Sequence, residues 1–145
     1  MSFAVTATPV DPATCRAALV AAAPPNAAGG IVTVEGVVRD ATAGRAVVRL
    51  DYEAYAVLAL AEGERILAEA RDRFGVESVH AVHRTGTLAP GETAVWVGVA
   101  AGHRDAAFAA CRFVIDAVKA RVPVWKREHY ADGPAEWVGA PGSHP

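Results

Sequence analysis

Val76-Glu77-Ser78-Val79-His80-Ala81-Val82-His83-Arg84-Thr85, the turn Ala89-Pro90-Gly91-Glu92, and Thr93-Ala94-Val95-Trp96-Val97-Gly98-Val99-Ala100-Ala101 decide the fold class. Two runs rich in β-branched residues flank a Pro-Gly turn, which predicts two strands joined by a short connection. Upstream, Ile31 to Arg39 is also β-rich and leads through Asp40 to Gly44 into Ala46 to Tyr55. The Gly44 turn predicts that these two strands form an antiparallel pair. A helix is expected from Val57 to Phe74, bounded by Gly75, although Gly63 in its middle costs about 1 kcal/mol against Ala.

Nearer the start, Phe3 to Val10 reads as a strand. Asp11-Pro12 then supplies an N-cap and a proline at the first helical position, opening a helix that Pro24-Pro25 ends. Residues 26–30 read as a loop. Beyond Ala101, a helix begins at about Asp105, with Phe108, Cys111, Ile115, Val118 and Val122 recurring at steps of three and four as one apolar stripe. Pro123 stops it. Val124 to Tyr130 is extended, Asp132-Gly133 turns, and Glu136 to Val138 closes a hairpin. Residues 1–138 therefore form one expected domain and residues 139–145 a frayed C-terminal tail. Strands joined by short turns, with helices only between some of them, indicate an α+β domain with a mainly antiparallel sheet. A doubly wound fold needs regular strand–helix alternation, which this chain lacks.

The 145 residues are 52% hydrophobic with a net charge of −2, which argues against nucleic acid or a polybasic membrane surface as the main partner. No run approaches the roughly 20 apolar residues of a membrane span. The first residues carry no positive stretch before an apolar run, so no signal peptide is expected. The two cysteines, Cys15 and Cys111, show no ligand spacing and read as small buried hydrophobes rather than redox or metal groups. These features together point to the cytoplasm.

Of 14 basic residues, 12 are arginine and only Lys119 and Lys126 are lysine. Arginine stays protonated whereas lysine can lose its proton, so a surviving lysine can mark a place where guanidinium cannot substitute. Chance placement explains the count equally well. Lys119 lies near the end of the helix, one residue off the apolar stripe, and Lys126 follows Pro123 on the same side as Val124 and Glu128. If the proline break folds the strand back, both amines reach one cavity and lower each other's proton affinity. One can then act as base or nucleophile while the other stabilises negative charge. A single lysine at a helix end is more simply a snorkelling side chain favoured by the dipole.

The stretch from His103 to Glu128 carries six Lys/Arg against three Asp/Glu, while the rest of the chain is acidic. Arg112 and Arg121 read as a solvated helix face. His103-Arg104 sits where a strand hands over to a helix, a place suited to phosphate or carboxylate; capping and packing account for it equally well. His80, His83 and His129 make no metal site, since His80 and His83 face opposite ways on a strand. Neither a phosphate-binding GxxxxGK loop nor a GxSxG nucleophile motif is present.

Taken in order, Glu35-Gly36-Val37-Val38-Arg39, Leu50-Asp51-Tyr52-Glu53-Ala54-Tyr55, His83-Arg84-Thr85-Gly86-Thr87-Leu88 with Gly91-Glu92, His103-Arg104 with Ala107-Phe108, Lys119, Pro123-Val124-Trp125-Lys126-Arg127-Glu128 and Trp137-Val138 resemble the molybdopterin synthase catalytic (large) subunit family. The resemblance implies an α/β-hammerhead fold and a homodimer. Each large subunit would receive a ubiquitin-like sulfur-carrier subunit whose C-terminal Gly-Gly tail ends in a thiocarboxylate, giving a heterotetramer. The implied substrate is cyclic pyranopterin monophosphate, converted to the dithiolene of molybdopterin with no resident cofactor or metal. By the same resemblance Lys119 is the main catalytic residue and Lys126 assists it. Arg39, His103 and Arg104 hold the pterin phosphate, and Val37, Val38, Arg127 and Glu128 line the site.

The chain departs from the family at Leu58, usually Met, and at Gly63, usually apolar. Its tail beyond Val138 carries no Lys or Arg. Two other functions fit the residues alone: a non-catalytic module that binds a ubiquitin-like tail or a phosphorylated ligand, and another phosphoryl- or acyl-transfer enzyme built on the same cationic cleft.

Overall fold

A computed structural model describes residues 2–138; the expected tail, residues 139–145, lies outside them. In chain order the elements are β1 (Ser2–Thr6), α1 (Pro12–Ala22), β2 (Gly30–Val37), β3 (Ala41–Thr42), β4 (Arg45–Ala54), α2 (Ala56–Phe74), β5 (Ser78–Arg84), β6 (Gly86–Leu88), β7 (Thr93–Ala101), α3 (Arg104–Arg121), β8 (Val124–Tyr130) and β9 (Glu136–Val138). One sheet runs β1-β5-β7-β2; the other runs β3-β4-β8-β9, with β6 also on β4. Of the described pairs only β1–β5 is parallel, so the mainly antiparallel α+β expectation holds.

The strand pair around Pro90-Gly91 forms as expected, with Val79 opposite Val99 and Ala81 opposite Val97. The other expected pair does not. Ile31 to Arg39 does not pair with Ala46 to Tyr55: β2 pairs with β7, and β4 pairs with β3, β6 and β8. The turn itself is where the sequence put it: Ala43 and Gly44 have φ of 50° and 80°, the double positive φ of a tight hairpin turn. Its upstream arm is the two-residue β3. After Val37 the chain bonds across to the β7 turn, Val38 N–H to the Glu92 carbonyl, and leaves the first sheet before reaching that turn.

β7 is the buried spine. Its odd-numbered residues Val95, Val97 and Val99 join Ile66, Leu67, Val114 and Val118 in the main core, under α2 and α3. On the opposite face Trp96 and Ala100 pack with Leu19 of α1. A β-carbon on Gly98 would collide with Trp96 and Leu19, so glycine there lets α1 approach closely.

The apolar stripe of α3 is rotated from the expected one. Cys111, Val118 and Val122 are buried, but Phe108 is 62% exposed and Ile115 only partly covered. Ala107, Ala110 and Ala117 complete the core face instead. Small side chains let the helix lie near the sheet, where stripe periodicity alone favours the bulky residues. Asp11 caps α1 through the Ala13 N–H, and Gly75 ends α2 with φ of 64°. Among the described residues, no helix is long and apolar enough to cross a membrane.

Candidate active site

Where the two sheets meet the end of α3, a cavity of about 410 Å³ opens. The end of β2 and the following loop give Gly36, Val37 and Arg39, and β3 gives Thr42. Leu50 and Tyr52 face in from β4, His83 from β5, Lys119 from the last turn of α3, and Lys126 and Glu128 from β8. Strand alternation explains the β8 pair: Val124, Lys126, Glu128 and Tyr130 share one face, and Trp125, Arg127 and His129 the other. The Pro123 break sets β8 directly after α3, bringing Lys126 back beside Lys119. Both lysines thus share one recess, as the proline break suggested, and Arg39, named by the resemblance, lines it with them.

Among the described residues the cavity carries three basic side chains against one carboxylate. Lys126 is largely enclosed in its ion pair with the still more buried Glu128: its side chain is 14% exposed, and Nζ stands 3.9 Å from Oε1. Burial lowers its proton affinity, and the charges of Lys119 and Arg39 add to that; Glu128 opposes them without reversing the result. Lys126 therefore gives up its proton more readily than an ordinary lysine, chiefly because it is buried. Glu128 is 2% exposed and is held by the Tyr130 phenol at 2.6 Å and Thr42 Oγ1 at 3.2 Å. Tyr52, whose phenol burial and the nearby Glu128 push up to about 12, meets the His83 ring edge-on at 5.0 Å. The Nδ1–H of His83 is 2.8 Å from the Arg84 carbonyl, which accepts it.

Four residues assigned to the site by resemblance stand elsewhere in this chain. Val38 is buried in the main core. Arg127 lies on the other face of β8, its guanidinium 5.7 Å from the Trp137 ring. His103 and Arg104 are exposed at the start of α3, and His103 makes no side-chain capping bond. Fifteen helical residues separate Arg104 from Lys119, about 22 Å along the axis, so one chain does not bring the pair to the cavity. Arg112 lies on a solvated helix face as expected, paired with Asp116, whereas Arg121 is partly covered and pairs across to Glu62 and Glu69 of α2.

Burial pushes the Cys111 thiol up to about 11 and raises that of Cys15, so neither is a ready nucleophile. Among the described residues, no three His, Cys, Asp or Glu side chains cluster tightly enough to hold a metal ion.

The model of the family described as "MoaE protein" matches residues 5–121. The chain belongs to the MoaE family. The rice (Oryza sativa subsp. indica) molybdopterin synthase catalytic subunit is 50% identical over 107 residues, 74% of this chain and 55% of that protein, so the chain spans about half the length of this curated relative. The crystal structure of molybdopterin synthase from Staphylococcus aureus superposes with a TM-score of 0.85 at 30% identity, covering 93% of this chain and 95% of that one. A protein–protein complex of subunits 1 and 2 of the molybdopterin-converting factor from Helicobacter pylori shares the fold, with a TM-score of 0.76 at 20% identity over 99% of this chain and 93% of that one.

Within this MoaE domain the reading of residues missed Tyr52, His83, Thr42 and Tyr130. Tyr52 and His83 lie in the stretches that carry the resemblance, and the inward alternation of Leu50 with Tyr52 was the available signal. Tyr130 was signalled by the same β8 alternation that turns Lys126 and Glu128 inward, whereas Thr42 gave no signal, because its role depends on where Glu128 sits.

Proposed function

We propose that this chain is the catalytic subunit of a molybdopterin synthase acting in the cytoplasm. It would move one sulfur from the C-terminal thiocarboxylate of each of two ubiquitin-like carriers to cyclic pyranopterin monophosphate, leaving two carrier carboxylates, and so build the dithiolene of molybdopterin. The observation that carries this is the convergence of Arg39, Lys119 and Lys126 on one cavity where, among the described residues, Glu128 is the only lining carboxylate. A thiocarboxylate and a phosphate are both anions. Held about 4 Å apart at an effective dielectric near 20, two like unit charges repel by roughly 4 kcal/mol, and nearby cations offset that cost.

In this scheme Arg39 makes a two-pronged contact with the phosphate. Lys119 acts at the reacting centre, as base or nucleophile. Lys126, enclosed and poised to release its proton, balances the charge that develops or passes a proton. Sulfur arrives on the carrier, which fits thiols that are buried and hard to ionise. A carrier partner also accords with the two-subunit Helicobacter pylori assembly.

A homodimer is part of the same proposal. His103 and Arg104 are exposed and distant from Lys119 of their own chain, so they would serve the cavity of a second copy. Purified chain, thiocarboxylated carrier and the cyclic pterin, mixed and assayed for dithiolene, test the function. Product supports it; carrier or pterin binding without product points to a binding module instead.

A further inference from the structure

The inner wall of the cavity holds its carboxylate from both sides. Oε2 of Glu128 accepts a 2.6 Å hydrogen bond from the Tyr130 phenol, and Oε1 accepts a 3.2 Å bond from Thr42. Lys126 Nζ remains 3.9 Å from Oε1. Direct ammonium–carboxylate hydrogen bonds close to about 2.7–2.9 Å, so this pair is held apart. Tyr130 is itself clamped. The Arg45 guanidinium lies 3.7 Å from its ring centroid and pairs with Asp132 and Glu136 at 3.0 Å each. The bond to Glu128, burial and the charges of Glu128 and Glu136 push the phenol up to about 12, so it remains a donor through the neutral range.

We propose that Tyr130 and Thr42 are positioning residues that hold Glu128 off Lys126, keeping the amine available to an anion entering the cavity. The proposal rests on the sulfur-transfer site above and extends it to two residues that act through Glu128. Lys126 is faced by Glu128 from its own strand, Lys119 from α3 and Arg39 from the loop after β2, while Tyr52 and His83 line the same cavity from β4 and β5. Among the charged neighbours that act on Lys126, Glu128 alone favours its proton. With the hydroxyl tethers gone, the carboxylate swings onto Nζ and forms the direct bond. The amine then keeps its proton to higher pH, and its charge is spent within the protein.

The chain has only two lysines, so lysine side-chain isotope labelling gives two NMR signals, assigned with Lys119→Ala. The titration is run on the full chain and on Tyr130→Phe, Thr42→Val and Glu128→Gln. Tyr130→Phe is expected to move the Lys126 midpoint up by about one pH unit, Thr42→Val up by less, and Glu128→Gln down. In the dithiolene assay the pH profile of kcat for Tyr130→Phe moves to higher pH by the same margin. An unmoved or lowered midpoint in Tyr130→Phe overturns the proposal, as does a loss of kcat that is equal at every pH. If Tyr130→Phe does not fold, the sign of the Thr42→Val shift decides. The titration needs no substrate, so a chain that makes no dithiolene defeats the proposed function and leaves this measurement standing.

Discussion

The ring of Phe3 lies so close to Gly63 that a β-carbon there would overlap its Cδ1, Cγ and Cε1 atoms. The glycine in the middle of α2 is a seat for the first strand, and its packing value outweighs its helical cost. Gly63→Ala gains about 1 kcal/mol of helix propensity, but overpacking a tight contact costs about 1–3 kcal/mol. The variant should have a lower urea midpoint than wild type. In a Phe3→Leu background the same change should be neutral or stabilising. A higher midpoint for Gly63→Ala alone contradicts this packing.

Acid stability should depend on Asp51. Burial alone would raise its carboxyl, but the hydrogen bonds from His129, at 2.5 Å, and Thr87, with the charges of His129 and Arg49, outweigh burial and hold it low. A carboxyl depressed in the folded state contributes its full stability above its unfolded value, near about 3.9. That contribution is lost as pH falls through the lower folded value. Asp51→Asn should therefore lose stability at neutral pH and differ progressively less from wild type as pH falls below about 4. Urea midpoints from neutral to acid pH check this; a gap that stays constant contradicts it.

Arg39 sits at the exposed lip of the cavity. Removing a charged hydrogen-bond donor costs about 1.5–3 kcal/mol. Arg39→Ala should raise the KM for the cyclic pterin roughly 10- to 100-fold, with a smaller effect on kcat. Steady-state kinetics with saturating carrier separate the two; an unchanged KM removes Arg39 from phosphate binding.

If His103 and Arg104 serve the cavity of a second copy, two inactive variants should rescue each other. A dimer of one His103→Ala chain and one Lys119→Ala chain has one doubly altered site and one intact site. Mixing the variants with subunit exchange should restore about a quarter of wild-type activity in a twofold dimer. No recovery, with exchange shown to occur, places the two residues outside a shared site.

Local signals made most of the elements legible in the sequence. Asp11-Pro12, Gly75, Pro123 and the Pro90-Gly91 turn all mark boundaries within a few residues of where the structure has them. Non-local pairings were hidden. The Gly44 turn was read correctly, yet nothing in the chain shows that its upstream arm is only Ala41–Thr42 and that β2 crosses to β7. Phe108 satisfied the helical period but lost its core place to alanines, because helix-to-sheet distance is not encoded in spacing. Around the cavity, the proline break and strand alternation made the meeting of Lys119 and Lys126 legible, while Arg39 and Glu128 came through the resemblance. Alternation turns Arg127 to the other face of β8, and Val38, just beyond β2, is buried in the main core. The tethers on Glu128 come from residues 86 and 2 positions away, a convergence only the fold creates.

The central claim is that Lys119 does the chemistry in a cavity it shares with Lys126 and Arg39. Single-turnover dithiolene formation, with enzyme and thiocarboxylated carrier in excess over the pterin, compares wild type with Lys119→Ala most directly. The rate should fall by about 10²–10⁴, while the circular dichroism spectrum and carrier binding stay unchanged. A Lys119→Ala protein that forms dithiolene at the wild-type rate contradicts the account.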